Sequence, residues 1–448
     1  MLRTLITFLF ASLIAACSNQ MHRNAPLVQL SSSDRLFDSQ KIRAWGDQPF
    51  LIEDYLAIEL ERSDSFDRSL IVDEEGTLKP QHYLTISGGG ANGAYGAGLM
   101  NGLTKSGQRP EYRFVTGIST GAILGLYAFL GEDYNHKLEE FYTQTSDEDL
   151  YQTRYFWQLF SSPSLLDTSK FEALVRDEID REMMDRVKEQ HLRGRTFLVK
   201  TTDLDSQRPV IWNMGVIAML DGAEAEYLFE SVIIASASIP GLFEPVLIPV
   251  EVDGVIYDEL HVDGGVVAQV FFIPEDLDIE QFEMVENSQF SELGISLSDR
   301  RESHIWLINN SRIGNVWQPV QPRLTDITGR SISTMLKHQG RNNLVQIYKQ
   351  SQLTNSTFNL SYINHQVPDA PEHAPFDQDY MQHIYCYGYA QGLNPHHWSH
   401  RFPDNSEMQA TIPANNLALD IKSFNWERVE LGLEKSIKQC LIRLRNEG

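Results

Sequence analysis

This chain is short of cysteines and, relative to acids, of basic side chains. Its 448 residues hold 37 Lys and Arg against 61 Asp and Glu, a formal net charge of −24, and no long basic block interrupts the deficit. A surface of that sign repels a phosphate backbone, which excludes nucleic acid as a partner. It also weakens attraction to anionic lipid, so any hold on a membrane has to come from apolar contact or a tether. Only three cysteines occur, Cys17, Cys386 and Cys440. Beyond the N-terminus no apolar run reaches membrane-spanning length, and there are no internal repeats, which excludes a solenoid. What is present is a globular composition, 42% hydrophobic and 22% charged, enough apolar material for a sizeable core. The length suits one large domain with extensions.

The tether is legible at the start. "MLRTLITFLFASLIAACSNQ" has one basic residue, Arg3, an apolar run from Leu5 to Ala16 too short to span a bilayer, and the small pair Ala15-Ala16 before Cys17. This layout is that of a secretory signal, and its end resembles a bacterial lipobox, with Ile14 where leucine is commoner. Residues 1–16 are thus expected to be a signal peptide and Cys17 the lipidated residue of the mature protein. Ser18 after it resembles outer-membrane lipoproteins. Export leaves Cys386 and Cys440, which form one disulfide or stay as separate buried thiols; sequence separation does not decide. Residues 17–80 read as a lipidated tether and N-terminal extension, polar at first. Helical spacing then follows at Leu51, Tyr55, Leu56 and Leu60, lying on the main domain.

From residue 81 to 448 the pattern is that of a catalytic domain in which short strands alternate with helices. "HYLTIS" and "YRFVTG" read as strands, and residues 91–106 and "TGAILGLYAFLG" as helices. "RTFLVKTTD" and "RPVIWNM" read as a hairpin, "EAEYLFESVIIASAS" as a helix and "HIWLINN" as a buried strand. A periodic helix through Trp426, Val429, Leu433, Ile437, Cys440, Leu441 and Leu444 closes the chain. Such alternation implies an α/β fold, a mainly parallel sheet between helical layers, with active groups at the carboxyl ends of strands.

Two glycine patterns fall at such strand ends. Gly117-Ile118-Ser119-Thr120-Gly121 follows "FVT" and opens an apolar helix, the setting of a nucleophile elbow. A side chain at Gly117 or Gly121 would strike backbone while the serine is pushed outward, and the helix N-terminus faces developing negative charge. Gly88, Gly89 and Gly90 follow "HYLTIS", where consecutive glycines let several amides turn toward one anion. A Walker loop is excluded because Gly90-Ala91-Asn92-Gly93 lacks the lysine. The spacing satisfies G-x-G-x-x-G, but no acidic strand end stands at the distance a dinucleotide site needs, which favours an oxyanion hole.

The serine needs a base. Asp263, at the end of "VIYDELHV" and followed by Gly264 and Gly265, is a strand-end carboxylate with room for a partner side chain; Asp253-Gly254, ten residues earlier, reads as a hairpin turn. Thirteen histidines keep a Ser-Asp-His triad open. His383, His396, His397 and His400 sit in polar surroundings and read as surface residues. "PHHWSH" has no carboxylate or cysteine at ligand spacing, so no metal is expected. A non-catalytic lipoprotein that binds an anion in the glycine nest is the other open reading.

The glycine loop at 88–93, the elbow at 117–121, "SASIPGLFEPV" at 236–246 and Asp263-Gly264-Gly265 together resemble the four ordered blocks of the patatin-like phospholipase family, over roughly residues 81–270. The resemblance implies a three-layer α/β/α sandwich and hydrolysis of acyl esters of phospholipids or related lipids at a membrane surface. It also implies a Ser119-Asp263 dyad without histidine, an oxyanion loop at Gly88 to Gly90, and no cofactor or calcium in the chemistry. The chain departs from the pattern at Asn92, where the family has Arg or Lys, and at Ser87, where many members are acidic. Residues 275–448 carry no assigned motif and are expected to shape the acyl pocket or a lid.

Overall fold

The computed structural model describes residues 23–27, 42–48, 57–59, 61–154, 162–252, 254–272, 301–371, 374–403, 411–413 and 419–447. The signal segment, Cys17, the apolar positions 51, 55, 56 and 60, and Asp253 lie outside them.

One nine-stranded sheet organises the domain: β1 (Arg43–Trp45), β2 (Gln81–Ile86), β3 (Phe114–Gly117), β4 (Thr196–Asp203), β5 (Arg208–Asn213), β6 (Val246–Val252), β7 (Val255–Asp263), β8 (Ser303–Asn309) and β9 (Thr357–Tyr362). Five neighbours, in the order β4-β3-β2-β8-β9, run parallel. The rest is antiparallel: β5 pairs β4 as the expected hairpin, β1 pairs β5, and the β6-β7 hairpin joins through β7 to β4. Gly254, at φ 79°, lies in the tight β6-β7 turn. β1 was not expected; it brings part of the 17–80 extension into the sheet.

The helices that frame the site are α1 (Gly93–Lys105), α2 (Thr120–Leu130), α3 (Asn135–Gln144), α4 (Ala223–Ser236), α5 (Leu324–Leu353), α6 (Gln378–Leu393) and α7 (Leu433–Glu447). Every residue of α2 is buried, which is why its sequence is apolar all round rather than striped. α1 and α6 cross with backbones in contact: a Cβ on Gly98 would fall 1.8 Å from the Tyr385 carbonyl oxygen, and one on Gly388 2.0 Å from that of Tyr95. Cys386 of α6 and Cys440 of α7 form a disulfide with Cα atoms 5.6 Å apart, which settles the pairing left open by the sequence.

The sandwich is lopsided. Leu84, Ile86, Val115, Phe197 and Val199 face a large core shared with α1 to α4 and α6. The opposite face is covered by less. Ile305, Leu307, Phe358 and Leu360 pack on Leu344 and Ile347 of α5, and Ile118, Ile211 and Leu198 on Ala268 and Phe271 of the segment after β7.

Candidate active site

Strand register brings the elbow and the carboxylate together. β5 occupies one edge of β4, so β3 and β7 share the other. β3 ends with Gly117 opposite Val199; β7 arrives from the other direction and ends with Asp263 opposite Thr201. Two residues of strand span about 7 Å, so the chain leaving β3 and the end of β7 meet over Lys200.

Ser119 occupies the sharp point of that exit, at φ 57° and ψ −132°. This conformation is unfavourable for a residue with a Cβ and persists only where its surroundings impose it. Several contacts do so. Gly121 N donates to Ile118 O and Ala122 N to Ser119 O, both at 2.8 Å. Ser119 N donates to Ser236 Oγ at 3.0 Å, and Ser236 Oγ donates to Lys200 O at 2.8 Å. A Cβ at Gly117 would lie 2.1 Å from Gly121 O, and one at Gly121 2.4 Å from Ile86 O, so both flanking glycines are sterically required. Ser236, which the sequence reading left without a role, ties the elbow to β4; its place at the head of the 236–246 block was the only hint.

Asp263 is almost wholly enclosed, with 5% of its surface exposed. Its amide donates to Ser238 O at 2.9 Å, its carbonyl accepts from Thr202 Oγ1 at 3.0 Å, and its Oδ1 accepts from Gly265 N at 2.6 Å. Burial pushes the carboxyl up to about 7, while hydrogen bonds from the Gly265 amide and the Ser119 hydroxyl pull the other way. A buried acid held there switches protonation state around neutrality, as a general base requires. A Cβ on Gly264 would meet Lys200 O at 2.4 Å, so the turn after Asp263 needs that glycine.

No histidine of the described residues bonds to either group. His261, two residues before Asp263, is engaged by Thr201 Oγ1 at 3.0 Å and Glu259 Oε2 at 3.1 Å. His383, expected at the surface, is instead buried in α6 with Nδ1 2.7 Å from Asp379 O, and His397 is half-buried; His396 and His400 are exposed as expected.

The glycine loop is less uniform than expected. The Gly88 amide donates to Gln269 O at 3.0 Å, so it is engaged by protein and is not an oxyanion donor in this arrangement. Its role is clearance: a Cβ there would lie 3.2 Å from Ser119 Cβ. The Gly89 and Gly90 amides donate to no acceptor among the described residues. Gly90 holds φ 55°, and a Cβ on Gly89 would meet Asn310 O at 2.6 Å. Ser87 braces the loop by donating to Gly88 O at 2.7 Å and accepting from Asn310 N at 2.8 Å. Asn92 Oδ1 accepts from Tyr380 OH at 2.6 Å.

An apolar cavity opens beside Ser119 and Gly90, walled by Ile123, Phe141, Leu150, Phe171, Phe243 and Phe376. Phe376, together with Met381, comes from the C-terminal part, which does shape this cavity.

An elbow serine, a strand-end aspartate and a glycine loop thus stand together on a largely parallel sheet. Residues 84–274 match the model of the patatin-like phospholipase family. Among solved structures, VipD from Legionella pneumophila is similar at 11% sequence identity with a TM-score of 0.31, over 84% of this chain and 77% of VipD. No curated protein matches the chain.

Proposed function

We propose that the protein is a lipid-anchored serine acyl hydrolase that cleaves fatty-acyl esters of phospholipids or related lipids through Ser119 and Asp263. The observation that carries this reading is the buried Asp263 carboxyl in contact with the hydroxyl of Ser119, which itself lines an apolar cavity. Asp263 takes the hydroxyl proton as Ser119 Oγ bonds to the ester carbonyl carbon. The negative charge moved onto the carbonyl oxygen is met by the Gly89 and Gly90 amides. Collapse breaks the ester C–O bond, and the proton held by Asp263 passes to the departing alkoxide. Water, deprotonated by the same carboxylate, then attacks the acyl-serine; the proton returns to Ser119 Oγ, and a fatty acid leaves. One oxyanion donor is worth about 3 kcal/mol of transition-state stabilisation.

The test is covalent labelling with a fluorophosphonate followed by a lipid-ester panel. Ser119 should be the labelled residue, and Ser119→Ala and Asp263→Ala should each abolish hydrolysis while the fold survives. Most activity retained in either variant would refute the assignment. The anchor belongs to the same reading: lipid on Cys17 holds the enzyme at a membrane, by the residue after it the outer one, where its substrate lies.

A further inference from the structure

The cavity on the other flank of the glycine loop has the opposite chemistry. On α5, Arg330, Thr334, Lys337 and Arg341 are spaced four, three and four apart, the spacing of one helix face. That face lines a cavity with Arg312, from the segment after β8, and the cavity extends to Ser87, Gly88 and Asn92. The loop therefore separates two spaces: the apolar one reaches Gly90 and Ser119, the cationic one Gly88 and Asn92.

Five Lys and Arg against three Asp around one space run against a chain whose net charge is −24. The arginines donate to backbone carbonyls, which orient each guanidinium. Arg312 Nε and Nη2 donate to Val367 O at 3.0 and 2.6 Å, Arg341 Nε and Nη2 to Ile313 O at 2.8 and 2.6 Å, and Arg330 Nη2 to Val316 O. Arg312 is also paired with Asp369. Two further acids line the wall and keep their charge: Asp377 accepts from Tyr380 N at 2.8 Å and Asp420 from Lys422 N at 3.0 Å. Lys422, also on the wall, is paired with Asp379.

Lys337 has no hydrogen bond or ion pair among the described residues. Burial pushes its ammonium down to about 8, and Arg341, Arg312 and Arg330 push the same way, with Asp369 opposing. Mutual repulsion of this kind is relieved when an anion enters. Planar guanidinium forks beside a compact ammonium are the donor set that suits tetrahedral phosphate oxygens.

We propose that this cavity binds a phosphate group, and that the group is the head-group phosphate of the lipid whose acyl chain lies beside Ser119. The second half of the proposal rests on the acyl-hydrolase reading above.

Binding to the full chain in detergent, in a Ser119→Ala background so that nothing is turned over, tests it. Calorimetric titration uses inorganic phosphate and dihexanoylphosphatidic acid below its micelle concentration. Both should bind, the lipid about ten-fold tighter because its acyl chains add apolar contact beside Ser119. Adding Lys337→Gln should weaken each by about ten-fold or more, whereas Lys337→Arg should retain binding. An unchanged circular dichroism spectrum and urea midpoint exclude misfolding, and Arg330→Gln serves as the second variant. Inorganic phosphate binding as tightly as the lipid would make the ligand a soluble phosphate and overturn the lipid assignment. Absence of binding, or affinity untouched by both variants, would overturn the site itself. Fluorophosphonate labelling of the unsubstituted chain tells the two readings apart: binding without labelling refutes the hydrolase and spares the phosphate site, and labelling without binding does the reverse.

Discussion

Replacing Asp263 by asparagine isolates the property on which the proposed chemistry rests. The amide keeps the shape of the side chain and an oxygen for the Gly265 N–H, which donates to Asp263 Oδ1 at 2.6 Å. It removes the titration and replaces the second acceptor oxygen with an N–H₂ group. In the folded protein burial holds the carboxyl at about 7, against 3.8 for an unperturbed aspartate. Between those values the native state keeps a proton that the unfolded chain releases, so stability falls as pH rises. The contribution is fully present below the unfolded value and is lost as pH passes the folded one. At 1.36 kcal/mol per tenfold change, the span amounts to about 4 kcal/mol. The asparagine variant does not incur this loss. The measurement is urea unfolding of both proteins across the acid-to-neutral range, taken as a difference so that other titrating groups cancel. The advantage of Asp263→Asn should grow by about 4 kcal/mol from roughly pH 4 to roughly pH 8. In parallel, kcat/KM of the unsubstituted enzyme should rise with pH through about 7, because the base works deprotonated. A stability difference that stays flat, or a rate profile whose rise is centred near 4, would refute the reasoning.

Other parts of the site and its supports are open to equally direct tests. Gly121→Ala puts a methyl 2.4 Å from Ile86 O and 2.7 Å from Ser87 O, where only backbone can yield; it should cost about 3 kcal/mol or more and abolish labelling of Ser119, and a wild-type urea midpoint would contradict the packing of the elbow. Joint replacement of Cys386 and Cys440 by serine opens a cross-link between residues 54 positions apart. Chain entropy sets that loss at about 4 kcal/mol as an upper bound, read as a lower urea midpoint that reductant lowers no further; an unshifted midpoint would contradict a stabilising bridge. Cys17→Ala should leave the protein unprocessed or released from membranes, where the unsubstituted form needs detergent and resists salt; extraction of the latter by salt would count against anchoring.

What could be read from the sequence was local and sterically enforced. Gly117 and Gly121 announce an elbow because no other residue fits there, and the apolar α2 announces its own burial. Asp263 is legible as a strand end for the same reason: Gly264 has backbone where a Cβ would be. What could not be read depends on partners distant in the chain. Glycines at 88 to 90 suggest three convergent amides, but which of them is already bonded depends on Gln269, 181 positions away. β1 is three residues long, too short to alternate, and exists because β5 offers an open edge. His383 misleads because its neighbours in sequence are polar while α6 packs against both α1 and α7, leaving that helix little free face. The cysteine pairing follows from the packing of α6 on α7, which no spacing encodes.

In the proposed enzyme, reactivity and selectivity draw on different stretches of the chain. The serine, the aspartate and the glycine loop all fall within residues 84–274, the stretch that matches the family. Phe376 and Met381 at the apolar cavity, and Arg312, Arg330, Lys337 and Arg341 at the cationic one, all lie after it. Asn92 stands where the family pattern carries a basic residue, and it lines the same cavity as those four cations. The charge absent from the loop is thus available from α5 and Arg312. A charge placed further from the oxyanion binds ground state and transition state alike, so it tightens substrate capture without adding to the chemical step. In the proposed enzyme, then, altering α5 should move KM between lipid classes and leave kcat to the elbow and its aspartate.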